Sequence, residues 1–253
     1  MATEPTTFPE IEIPIPNVEN LVTEDDAPMD NLYSEKAMRL LTEPLYASWQ
    51  PEGGGPFMAM SNVGLFYVIS KPPFVPDVLF SLGVDCPKDL WPKKNRSYFA
   101  WEYGKVPDVI IEIVSNKEGG EDTVKLAAFE NIHVPYYVIF DPQQLLSNEQ
   151  IRAYQLDGSK YRRMDEPLWF SGIELGLQLW QGSYEGHEDE WLRWRDARGQ
   201  IIATGAEGKG IEQQRADAEQ ERADQEKQRA DEEAERANRL AAKMRELGID
   251  PDA

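Results

Sequence analysis

The sequence is short of the residues on which most metal and redox chemistry relies. It has one cysteine, Cys86, which excludes an intramolecular disulfide and a cysteine zinc cage. Its two histidines, His133 and His187, cannot build a multi-histidine metal site. No apolar run approaches the ~20 residues that span a bilayer. The stretch Met1 to Asn20 lacks the basic start and apolar run of a secretory signal. These absences predict a soluble, cytoplasmic protein in a reducing compartment, without membrane association. Cations are scarce as well: 26 Lys and Arg against 46 Asp and Glu leave a net charge of −20 on 253 residues. That excludes a basic nucleic-acid coat, which needs cationic surface to displace counterions from phosphates. A local basic patch or a metal-bridged phosphate site stays open.

What is present falls into three regions. Residues 1–30 place Pro5, Pro9, Pro14, Pro16 and Pro28 among acids and read as a flexible arm. Residues 31–206 hold all seven tryptophans and nearly all the β-branched runs, and read as the globular domain. Residues 207–253 read as a charged helical tail, with no aromatic and no proline from 207 to 247.

In the domain, Leu32 to Leu41 reads as a helix with Leu32, Met38, Leu40 and Leu41 on its apolar side. Val63–Ile69 and Val75–Leu82 read as strands, and Ser97–Tyr103 as extended. Asp108–Ser115 (DVIIEIVS) is nearly continuously apolar, which fits a strand buried on both faces. After Gly119-Gly120, Asp122 or Thr123 would cap a helix running to Ile132. Tyr136–Phe140 returns as a strand, stopped by Asp141-Pro142. Ile151–Leu156 and Lys160–Met164 flank Asp157-Gly158 as a hairpin. Strand–helix–strand at the centre with hairpins around it predicts an α/β or α+β domain on a mixed sheet flanked by helices.

Glu112 is the sharpest anomaly, an acid inside IIEIV where a lone charge is costly to bury. Buried carboxylates persist when paired, protonated or metal-bound. Asp77 follows Pro76 in a separate predicted strand. Two carboxylates on adjacent strands make a hard-oxygen site suited to Mg²⁺ or Mn²⁺, which need neither histidine nor cysteine. Lys125, in the helix after the Glu112 strand, could reach back over the strand end. There it would stabilise a pentavalent phosphate or position the attacking water. Each residue also has a plainer use: Asp77 as a turn cap, Glu112 as half of a core ion pair, Lys125 as a surface lysine.

The segment PDVIIEIVSNKEGGEDTVKLAAFENIHVPYYVIFDP (107–142), with VPDVLF (75–80), resembles the Uma-two family of restriction endonucleases, within the PD-(D/E)xK nuclease superfamily. The resemblance covers 31–206 more loosely. It implies a restriction-endonuclease-like fold and metal-dependent hydrolysis of DNA. It implies Asp77 and Glu112 as metal ligands with the carbonyl of Ile113 as a third oxygen. The superfamily's lysine two positions after the glutamate is absent, since position 114 is Val. In the family it moves to the following helix, here Lys125, with Lys117 as the second choice.

Lys93, Lys94 and Arg96, between Trp91 and Tyr98, form a basic and aromatic patch that reads either as a nucleic-acid contact or as plain solvated surface. Arg152, Lys160, Arg162 and Arg163 form a second basic cluster around the hairpin. The tail repeats every seven residues, with Ala216, Ala223, Ala230 and Ala237 on one side. It reads as a solvated helix or a weak coiled coil through which the protein could dimerise or bind a protein partner. Two functions therefore stand: a Mg²⁺- or Mn²⁺-dependent endonuclease acting on DNA, or a nuclease-fold assembly or regulatory protein that works through its tail.

Overall fold

The computed structural model describes residues 31–246. The predicted arm at 1–30 and the final residues 247–253 lie outside that range. The chain divides into two compact units at residues 204 and 205.

The first unit opens with α1 (Leu32–Ser48), whose Asn31 N-cap accepts from the Ser34 N–H at 3.0 Å. Six strands follow in one mixed sheet: β1 (Phe57–Ser61), β3 (Val78–Leu82), β5 (Val109–Ile113), β6 (Tyr136–Phe140), β7 (Ile151–Asp157) and β8 (Lys160–Arg163), in that spatial order. All neighbours run antiparallel except β5 and β6. That parallel pair is joined by the crossover containing α3 (Leu126–Asn131), as strand–helix–strand requires. The short β2 (Leu65–Phe66) and β4 (Tyr98–Phe99) pair in parallel beside it. β9 (Trp169–Phe170), β10 (Leu175–Tyr184) and β11 (His187–Arg195) make a separate antiparallel sheet.

The period of two along β5 sorts its side chains between two cores. Val109, Ile111 and Ile113 join the cluster formed with Met38, Leu41 and Leu45 of α1 and with Trp191 and Trp194 of the terminal hairpin. Ile110 joins Leu79, Tyr137, Ile139 and Phe129 on the opposite face, beneath α3. Both central strands are buried at all five positions, so their apolar runs match their environment. The fold class is thus the α+β arrangement expected, a mixed sheet flanked by helices.

Several elements differ from expectation. α1 runs past Leu41 and through Pro44 to Ser48. A proline there crowds the carbonyls of the preceding turn. The neighbouring Leu41 O accepts from the indole N–H of Trp194 at 2.7 Å. Leu32 is 80 % exposed instead of facing the core, because it is the first helical residue. The strand expected over Val63–Ile69 is only Leu65–Phe66. The chain turns back through Pro72-Pro73, and Leu65 exchanges both backbone bonds with Phe74. Ser97–Tyr103 is extended only at Tyr98–Phe99, and then turns once as α2 (Ala100–Tyr103), ended by Gly104 in the left-handed region. The 121–132 helix begins as a wide turn over Glu121–Lys125 with Gly120 before it, and neither Asp122 nor Thr123 caps it with a side chain.

The second unit contains α4 (Gly205–Glu246), 42 residues long. Its polar side chains pair along its own surface, Gln213 with Asp217, Gln220 with Asp224 and Gln228 with Glu232. Among the described residues no helix is long and apolar enough to cross a membrane.

Candidate active site

The register of the sheet creates a row of side chains on the face beneath α3. Val78 of β3 pairs with Ile111 of β5, so Asp77, one residue earlier, stands opposite Glu112. Glu112 pairs with Ile139 of β6, and Ile139 pairs with Arg152 of β7. Asp77, Glu112, Ile139 and Arg152 therefore span four adjacent strands on one face, with strands about 4.8 Å apart. The Asp77 carboxylate accepts from the Ile113 N–H at 2.6 Å, which pins it against the Glu112 strand.

The turn over 121–125 closes the row from above. Its lysine, Lys125, donates to Glu112 Oε2 at 2.8 Å and to Glu121 Oε1 at 3.3 Å. Tyr137, from β6, donates to the Glu121 carbonyl at 2.8 Å and fixes the turn to the sheet. Asp122 holds Nη1 of Arg152 at 3.3 Å. Gly119 leaves room here: a Cβ at that position would overlap the Glu121 carboxylate and make it shift.

Glu112 is 1 % exposed. Burial first, and then the charge of Asp77, push its carboxyl up to about 8, against the pull of Lys125. Burial pulls the Lys125 ammonium down, but the charge of Glu112 and its hydrogen bond outweigh that, and the net shift is upward. Burial, with Glu112 and Glu121 adding to it, also raises the Tyr137 phenol.

Three groups around this row have buried polar atoms without a hydrogen-bond partner among the described residues: Glu112 Oε1, Glu121 Oε2, and Nε and Nη2 of Arg152. A buried orphan oxygen beside a second carboxylate is the environment a small hard cation satisfies. No cluster of three or more His, Cys, Asp or Glu arranged to hold a metal occurs among the described residues. The carboxylate pair fits Mg²⁺ or Mn²⁺ nevertheless, since such ions sit on one or two carboxylates and keep several waters.

The structure thus brings Asp77, Glu112, Ile113 and Lys125 together. Lys117 is exposed in the loop after β5. Lys93, Lys94 and Arg96 lie on the connection between β3 and β4, outside the row. Asp108 serves the start of β5, accepting from Leu82 N–H at 2.7 Å and Lys105 at 2.6 Å. Sequence reasoning missed Glu121 and Tyr137 and placed Arg152 in a surface cluster. The four-residue spacing from Glu121 to Lys125 was the available signal for the first. Tyr137 reads as an ordinary core aromatic, and the inward face of Arg152 follows only from strand register.

Comparison with known proteins adds a family. The model of Uma2, described as "Putative restriction endonuclease", matches residues 26–183, more than half of the chain. Among solved structures the chain is similar to one titled a "putative nuclease belonging to DUF820" from Anabaena variabilis. The two share 15% identity at a TM-score of 0.37, over 55% of this chain and 71% of that one. No curated protein matches.

Proposed function

The chain belongs to the Uma2 restriction-endonuclease family, and from that premise we propose that it is a metal-dependent endonuclease hydrolysing DNA phosphodiester bonds at the Asp77–Glu112–Lys125 row. The observation that carries this reading is Glu112, buried in the central strand with one oxygen on Lys125 and the other without a partner. Purely structural acids rarely persist in such a site, because an unpaired buried oxygen costs about 1–3 kcal/mol.

Asp77 and Glu112 would hold a Mg²⁺ or Mn²⁺ ion, with the Ile113 carbonyl as a further oxygen. Such an ion, when bound, lowers the pKa of water and stabilises charge on phosphate oxygens. The residues of the chain do the rest. The hydrogen bond from Ile113 N–H orients the Asp77 carboxylate. Lys125, anchored between Glu112 and Glu121, keeps an ammonium at the row's edge, where charge develops on the scissile phosphate. Val114, in place of the usual lysine, is buried in the core cluster beneath α3, so the cation must arrive from the turn above.

The test is a nicking assay on single- and double-stranded DNA with Mg²⁺ and Mn²⁺. Wild type should cleave and Glu112→Ala should not. No cleavage by wild type with either ion on either substrate would refute the proposal.

A further inference from the structure

On the same sheet face, one strand beyond Asp77, the domain carries a second feature that the acid row does not use. A groove of about 680 Å³ has an apolar wall that includes Met58, Met60, Val63 and Leu90 and a polar one that includes Lys88, Asp89 and Arg96. Met60 pairs with Leu79, two residues from Asp77. The N–H of Asn62, next to Val63, donates to the Asp77 carbonyl at 3.1 Å. The groove is therefore continuous with the backbone that presents the first acid.

Trp91 stands at the groove, 81 % exposed. A flexible loop would explain an exposed tryptophan, but this loop is tied down. Trp91 N–H donates to Asp89 Oδ1 at 3.0 Å, Asn95 Nδ2 to Asp89 O at 2.6 Å, and Arg96 Nε to Trp91 O at 2.8 Å. The indole is thus presented on a fixed platform, so binding to it costs little ordering entropy. Lys88 and Arg96 line the groove with it, and Lys93 and Lys94 follow in the same loop. Residues 85–96 thus set four cations against Asp85 and Asp89, in a protein whose net charge is −20. The local sign of charge is opposite to that of the whole molecule.

We propose that this groove takes unpaired nucleotides, with a base stacked on Trp91 and its phosphates held by the neighbouring cations, and so feeds a single strand towards Asp77. The idea rests on the endonuclease reading for its ligand class and adds strandedness to it. The apolar lining decides between occupants. A duplex hides its base faces and meets a groove of this kind mainly through its sugar–phosphate edge, to which methionine and leucine walls add little. Unpaired bases offer a π-face to an aromatic and an apolar edge to the walls, with a backbone that the cations follow.

The test is fluorescence anisotropy with a labelled single-stranded 20-mer and its duplex, in EDTA so that neither metal nor cleavage enters. Wild type should bind the single strand more tightly than the duplex. Trp91→Ala should weaken single-strand binding by about tenfold, the loss of one stacked base, and leave duplex binding unchanged. Trp91→Phe, which keeps a stacking face, should recover most of it. Equal single-strand affinity of wild type and Trp91→Ala, equal loss on both substrates, or no single-strand binding by wild type would overturn the proposal. The two readings fail separately. A protein that binds single strands through Trp91 and never cleaves sinks only the hydrolytic reading, and one that cleaves with binding insensitive to Trp91 sinks only this one.

Discussion

Glu112 is the residue on which the proposed activity turns. It sits in a strand whose other four residues are apolar and buried, and it retains a carboxyl that burial and Asp77 push up to about 8. The unfolded chain would release that proton near 4.5. The folded form therefore holds a proton that the unfolded form has lost between those values. In metal-free protein, stability from this residue is full below pH 4.5, falls as pH rises through the window, and levels off above about 8. Lys125 does not mask the effect, because its raised pKa places its own loss of stability at higher pH. Glu112→Gln removes the titration, so thermal melts in EDTA from pH 5 to 9 should show the variant gaining on wild type as pH rises. Parallel curves would mean that Glu112 is ionised throughout. Asp77 and Glu112 stood out in the sequence because each breaks a local pattern, whereas Lys125 was singled out from ordinary surface lysines only through the family resemblance. An acid in an apolar run and an acid after proline are visible without coordinates, whereas Arg152 looks like any hairpin cation until the register of β6 and β7 is known.

At the scale of elements, the wide turn over Glu121–Lys125 delivers the cation to the sheet. Its geometry depends on Gly119, whose missing Cβ makes room for the Glu121 carboxylate. Gly119→Ala should displace Glu121, release one of the two anchors of Lys125, and lower the cleavage rate several-fold with the fold intact by circular dichroism. Gly55→Ala, where an added Cβ meets nothing within 4 Å, is the matched control and should leave the rate unchanged. If the two variants behave alike, the turn does not position Lys125. The strands that carry the site, β5 and β6, were readable because runs such as VIIEI and YYVIF are buried throughout. The turn was not, because its backbone is set by the Tyr137 hydroxyl on the Glu121 carbonyl, a contact 16 residues apart. α1 overran its expected end because Pro44 sits inside the helix instead of ending it. Trp194, 153 residues from Leu41, supplies a donor to the turn that Pro44 disturbs.

Across the whole molecule, charge is the governing fact. A net charge of −20 repels a polyanion at long range, so productive contact with DNA must be local. Under the proposed reading two places would answer that need: the acid row, if a divalent ion reverses its sign, and the basic loop that carries Trp91. The tail contributes no such surface, since α4 interleaves acids and bases along about 63 Å of helix, at 1.5 Å per residue. Its seven-residue repeat was plain in the sequence, but repetition alone cannot say whether the alanine side meets a partner. The account as a whole depends on Asp77 and Glu112 sharing one ion. The most direct measurement is a calorimetric Mn²⁺ titration of wild type, Asp77→Ala and Glu112→Ala. A single site in wild type that disappears in both variants is the predicted result, and Mn²⁺ binding that survives either substitution unchanged would contradict it.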